Sequence, residues 1–324
     1  MNNTYIIINK TDKNSSYKLK ENVFLKIVND RCIIENNIIH KNNYNYYFLK
    51  KKYNIESLKK LKNNNYLIYE PLDMDWNSYP NFELYYKNNL DYFNIFNEII
   101  CNNKFMAQKM TEYGFNNKLS INYHEYDEKY KSTGNIVNKI LYIGRLDKCS
   151  FTNKDMIKYN INNINNFNEI NKDITIHIDY LLNNNLYYTL HTSTKLSTAL
   201  YLNCIFICNR IPVYVELLGE DYEFYLNDDL SNIDKIIEKA QKILNTKDLY
   251  DEYINKCINI KNRVSPNTIA KNYNFIFNNK INNKIENKIE NKINNKIENK
   301  IENKINNKIN NTFIIKKLLF QKKK

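Results

Sequence analysis

The chain has 324 residues, 43% of them apolar and 14% aromatic, which suits two ordinary domains and excludes global disorder despite the excess of Asn, Lys, Ile and Tyr. The formal charge is +13, but residues 279–324 hold 13 Lys and 4 Glu, a net of +9, and leave only +4 on the other 278 residues. That remainder is an ordinary surface with no basic face to track a phosphate backbone, so composition argues against a specific nucleic-acid partner.

Residues 1–135 mix short β-like runs with helical patches. Tyr5–Ile8, Val23–Val28, Arg31–Ile34 and Tyr44–Leu49 read as strands, and Asn54–Leu61 reads as a helix capped by Asn54. Tyr66–Tyr69 is a further strand, and a helix from about Glu83 to Asn97 leads into the strand Glu98–Cys101. Asn103–Tyr113 reads as a capped helix that ends at Gly114, followed by the strand Leu119–Asn122.

Residues 136–278 alternate strand and helix: Ile140–Ile143, a helix over about 155–167, and Ile174–Ile178. The segment His191–Leu226 is the most informative part of the chain. Thr192, Ser193 and Thr194 offer hydroxyls and backbone N–H groups at a helix start, with Lys195 in the first turn, an arrangement that welcomes an anion. Cys204–Cys208 is a continuous apolar run of strand length, as in a parallel sheet covered on both faces. Pro212 then opens a helix expected to deliver Glu216 close to its start. Helices near 231–245, 248–262 and 266–278 complete a doubly wound α/β pattern. Anion-binding helix start, buried strand and acidic helix at the carboxyl side of one sheet would suit a nucleotide's phosphates and sugar.

Three pieces also resemble a known family. Lys139–Leu146, KILYIGRL, is similar to the strand and Gly-Arg turn that open the donor-binding domain of GT-B glycosyltransferases. Lys195–Leu200, KLSTAL, with the next strand and Ile211–Gly219, resembles the branch in which a Lys-Leu-x-x-Ala helix replaces a Glu-bearing one. Ser265–Tyr273 resembles the closing helix, so the likeness runs over about 136–278. It implies two Rossmann-like domains, an acceptor-side one at 1–135 that is small or degenerate and a donor-binding one at 136–278.

The resemblance implies sugar transfer from a nucleotide-sugar donor to a hydroxyl of a glycan, protein or other acceptor. It implies no bound metal and no cofactor beyond the donor substrate. The leaving diphosphate needs cationic and dipolar groups aimed at its oxygens. Gly144 and Arg145 are the first candidates, since Gly permits close approach and Arg binds phosphate bidentately. Thr194, Lys195 and the N–H groups of residues 193–197 are the second. By resemblance, Thr198 stands where many relatives place a ribose-binding Glu, and Glu216 lies beside the donor. The chain departs from the family in having Leu190 and Thr198 at the pair of positions eight apart that usually carry Glu, and in lacking a Gly-rich loop after its first strand. Glu70, Asp73 and Asp75 are the carboxylates offered for a general base. His124 and His191 border the expected site, and His177, alternating within ITIHI, reads as structural. A catalytically inactive binding or scaffold protein of the same fold is the alternative.

From Ile281 to Asn311 the chain repeats Ile-Asn-Asn-Lys and Ile-Glu-Asn-Lys. A four-residue step advances a helix by about 400°, so the Ile stripe drifts and makes no seam. Residues 279–324 therefore read as a low-complexity basic tail, whose apolar and lysine-rich end suits weak contact with an anionic membrane surface. The six cysteines are dispersed without a C-x-x-C pair, as expected of reduced thiols in a cytoplasmic protein. The opening residues predict no signal peptide, and no run of about twenty apolar residues predicts a membrane span.

Overall fold

Two all-parallel sheets organise the chain in the computed structural model, which describes residues 4–7, 23–24, 32–35, 38, 41–49, 53–71, 82–130, 132–146, 149–165, 173–182 and 192–277. The first sheet holds β1 (Thr4–Ile7), β2 (Cys32–Glu35), β3 (Asn45–Leu49), β4 (Tyr66–Glu70), β5 (Glu98–Cys101) and β6 (Lys118–Ile121), in the order β2-β1-β3-β4-β5-β6. The second holds β7 (Ile136–Ile143), β8 (Ile161–Ile164), β9 (Ile174–Asp179), β10 (Ile205–Asn209) and β11 (Tyr225–Leu226), in the order β11-β10-β9-β7-β8. Residues 2–276 form one compact unit that contains both sheets.

Parallel strands require crossover connections, and several here are helical. The described helices are α1 (Ile55–Lys62), α2 (Phe82–Phe93), α3 (Lys104–Glu112), α4 (Asn153–Lys158), α5 (Thr194–Tyr201), α6 (Pro212–Leu218), α7 (Ile233–Leu244), α8 (Lys247–Arg263) and α9, residues 266–277. Their starts follow local chemistry. Asn54 Oδ1 accepts the Ser57 N–H at 3.0 Å, and Asn103 Oδ1 accepts the Met106 N–H at 2.7 Å. Thr152 and Asp155 form a reciprocal capping box at α4.

Each sheet has its own apolar cluster. Tyr46, Phe48, Tyr69, Phe93 and Phe96 belong to the first, and Tyr142, Ile176, Phe206, Tyr214 and Phe224 to the second. Every residue of β9 and β10 is buried, as strands covered on both faces must be. In register, Ile205 faces Ile176, Ile207 faces Ile178 and Cys208 faces Asp179.

Several expectations are corrected. The helix expected over 155–167 stops at Lys158, and Ile161–Ile164 becomes the edge strand β8. Asn160, at φ 50, supplies the left-handed turn between them. Residues 23–24 are helical where a strand is expected, and β11 was not anticipated. Asp73, Asp75, His191 and the tail lie outside the described residues. No described helix is long and apolar enough to cross a membrane.

In both sheets the second strand lies on one side of the first and the third on the other. The second sheet therefore has its topological switch point between β7 and β9, and the crevice beyond the carboxyl ends of those strands is where such sheets hold ligands.

Candidate functional site

The chain reaches that crevice at the end of β7. Gly144 follows Ile143 with φ +132, and its N–H donates to Ile164 O of β8 at 2.8 Å. A Cβ at this position would stand 3.4 Å from Lys195 Cε and 3.5 Å from the Tyr142 hydroxyl. Two distant stretches of sequence, the Gly-Arg turn and the first turn of α5, thus lie close enough that an added methyl would touch both.

Lys195 does not point freely into solvent. Its Nζ donates to Asp179 Oδ1 at 2.6 Å and to the Tyr142 hydroxyl at 3.0 Å. The Lys195 side chain is 16% exposed and that of Asp179 only 1%. Asp179, the last residue of β9, also accepts the Tyr214 hydroxyl at Oδ2, 2.7 Å away. Burial first, then the Asp179 charge, pushes the Tyr214 phenol well above its usual range, so Tyr214 stays protonated and donating. Sequence reasoning missed Asp179. The signal was a lone carboxylate closing a fully buried strand, ITIHID.

Arg145 is exposed on the turn, and its carbonyl accepts the Tyr142 hydroxyl at 3.1 Å. Cys149, half-buried nearby, feels both Lys195 and Asp179, and burial pushes its thiol up. The start of α5 is anchored rather than open-ended. Ser193 Oγ donates to the His124 carbonyl at 2.9 Å and accepts the His124 N–H at 2.9 Å, while Ser197 Oγ donates to the same carbonyl at 2.7 Å. Thr194 Oγ1 lies 3.1 Å from His124 Nδ1. Ser193 makes no side-chain capping bond to the helix. Thr198, one turn further on, is buried in the body of α5.

Glu216 is the fifth residue of α6, which opens at Pro212 as expected. Its Oε2 accepts the Lys104 backbone N–H at 2.9 Å, its Oε1 accepts the Tyr123 hydroxyl, and Lys104 Nζ lies 3.8 Å away. The structure therefore brings Gly144, Arg145 and Lys195 together, docks Thr194 on His124, buries Thr198, and engages Glu216 with residues that flank the first sheet.

In the first sheet, buried Glu70 at the end of β4 accepts the hydroxyls of Tyr47 and of Tyr273 from α9. Burial first, then the Glu70 charge, raises the Tyr47 phenol well above its usual range. His177 is buried in mid-strand, where desolvation lowers it to about 3. Among the described residues, no group of three or more His, Cys, Asp or Glu stands together as a metal site. A cavity of about 530 Å³ lies elsewhere, between the 218–223 loop and α8, lined by Gly219, Asp221, Tyr222, Tyr253 and Cys257 among others.

No protein-family model matches the sequence, and no curated protein matches it. Among solved structures the chain is similar to the GtfA/B complex, with a TM-score of 0.47 and 7% identity over 75% of this chain and 58% of that one. It is also similar to the pneumococcal O-GlcNAc transferase GtfA in complex with UDP and GlcNAc, with a TM-score of 0.46 and 7% identity over 73% of this chain and 57% of that one. The chain thus spans less than three fifths of the length of either structure.

Proposed function

We propose that this chain is a glycosyltransferase of GT-B architecture that moves a sugar from a nucleotide-sugar donor to an acceptor hydroxyl without a metal ion. The reading rests on one observation: the Gly144 turn and the Lys195 turn of α5 meet at the carboxyl ends of β7 and β9, the switch point of a doubly wound sheet. Sugar transfer breaks the anomeric C–O bond and leaves negative charge on the diphosphate. Groups already aimed at those oxygens lower the barrier. Lys195 Nζ carries three protons, two of which go to Asp179 and Tyr142, so one remains for a phosphate oxygen. Arg145 adds an exposed guanidinium on the adjoining turn, and the first N–H groups of α5 add a dipole of the right sign. Thr194 and Thr198 lie on the same helix, and Glu216 reaches a donor only by giving up Lys104 or Tyr123.

That last point favours a second reading, a protein of the same fold that binds a nucleotide sugar without turnover. One experiment separates them: thermal stabilisation of the full chain by UDP-, GDP- and ADP-sugars, with donor hydrolysis measured alongside. Stabilisation that Arg145→Ala and Lys195→Ala weaken, together with hydrolysis, supports the enzyme. Stabilisation without hydrolysis supports the binding protein, and no stabilisation by any donor rejects both.

A further inference from the structure

We infer that Asp179 and Tyr142 are positioning residues that hold the Lys195 ammonium and tie it to the backbone turn bearing Arg145, an inference that rests on the diphosphate reading above. A carboxylate as buried as Asp179 requires partners, because burial of an isolated charge is strongly unfavourable. It has Lys195 on Oδ1 and Tyr214 on Oδ2. The pair fixes Nζ against the face and hydroxyl of Tyr142, 4.2 Å from the ring centroid and 3.0 Å from the oxygen.

Tyr142 then carries the constraint onward. Its hydroxyl accepts from Lys195 and donates to the Arg145 carbonyl at 3.1 Å. The turn bearing Arg145 and the ammonium of Lys195 are therefore connected through the Tyr142 hydroxyl. Gly144 lies beside this connection, where a Cβ would reach both side chains. Asp179 offsets the charge of Lys195, so Lys195 supplies direction at short range. A free lysine side chain would lose rotamer entropy on fixing, and Asp179 removes that loss before the ligand arrives.

Inorganic pyrophosphate is the probe, titrated calorimetrically into the full chain and into two double-mutant cycles, with thermal melts to confirm folding. Asp179→Asn and Tyr142→Phe each weaken binding by roughly tenfold in the wild-type background. Asp179→Asn adds no further loss in Lys195→Met, and Tyr142→Phe costs less in Arg145→Ala than in the wild type, because part of what it acts through is gone. Losses that add in both cycles, or Tyr142→Phe with wild-type affinity, overturn the positioning role and leave the diphosphate site standing. If Asp179→Asn fails to fold, the Tyr142 and Arg145 cycle decides alone. A wild-type chain that binds no pyrophosphate overturns the site and the positioning role together.

Discussion

Glu216 Oε2 accepts the backbone N–H of Lys104 at 2.9 Å, so an acid on α6 beside the second sheet satisfies the first N–H of a helix that flanks the first. Asn103 satisfies a second N–H of the same helix through Met106. The two acceptors share the cap, and the charge of Glu216 also favours the positive end of α3. Glu216→Ala is expected to lower stability by about 1–2 kcal/mol in urea denaturation, and Glu216→Gln, which keeps an acceptor, by less. Equal stability for all three proteins would show that the contact contributes nothing.

Gly144→Ala carries a backbone penalty. The backbone sits at φ +132, which residues with a Cβ rarely adopt, while the new methyl would meet Lys195 Cε at 3.4 Å, an ordinary contact. A loss of about 1–3 kcal/mol is expected from the strain. If the strain is relieved by a shift of the turn, pyrophosphate binding, measured by calorimetry, weakens as well. A variant of wild-type stability and affinity would mean that the turn is not held as described.

His177 is neutral in the fold, because burial lowers it to about 3 from an ordinary value of 6.5. The unfolded chain takes up the proton as pH falls below about 6.5, while the folded chain does not until about 3. Its contribution is therefore complete above pH 6.5, is lost as pH falls towards 3, and changes by about 1.4 kcal/mol per pH unit at the steepest. His177→Leu should flatten this part of the stability profile, followed by urea midpoints between pH 4 and 7. An unchanged slope would place the acid sensitivity elsewhere.

Tyr273 on α9 and Tyr47 on β3 both donate to Glu70, so the last described helix is fastened to the first sheet through a buried carboxylate. Tyr273→Phe removes a hydroxyl without altering the ring packing against Phe24 and Tyr47. A loss of about 1.5–3 kcal/mol is expected, the range for a hydrogen bond to a charged group. Thermal melts at matched protein concentration would measure it, and a Tm equal to the wild type would refute it.

Local chemistry was sufficient for much of the architecture. The apolar runs at Tyr66–Tyr69, Glu98–Cys101, Ile174–Ile178 and Cys204–Cys208 marked strands, and Asn54 and Asn103 marked helix starts, because strand burial and capping act within a few residues. Asn160 and β8 were missed, since a left-handed Asn inside a polar, Asn-rich stretch looks like its neighbours.

The sequence by itself determined the parallel α/β class, the Gly-Arg turn and the lysine at a helix start. Only the tertiary structure decided what those residues touch. Asp179 reaches Lys195 across 16 positions of sequence, and Glu216 reaches Lys104 across 112. The spacing of residues along a strand or helix is set by local backbone geometry, whereas the partner of a buried charge is set by which strands lie side by side, a property of the whole sheet.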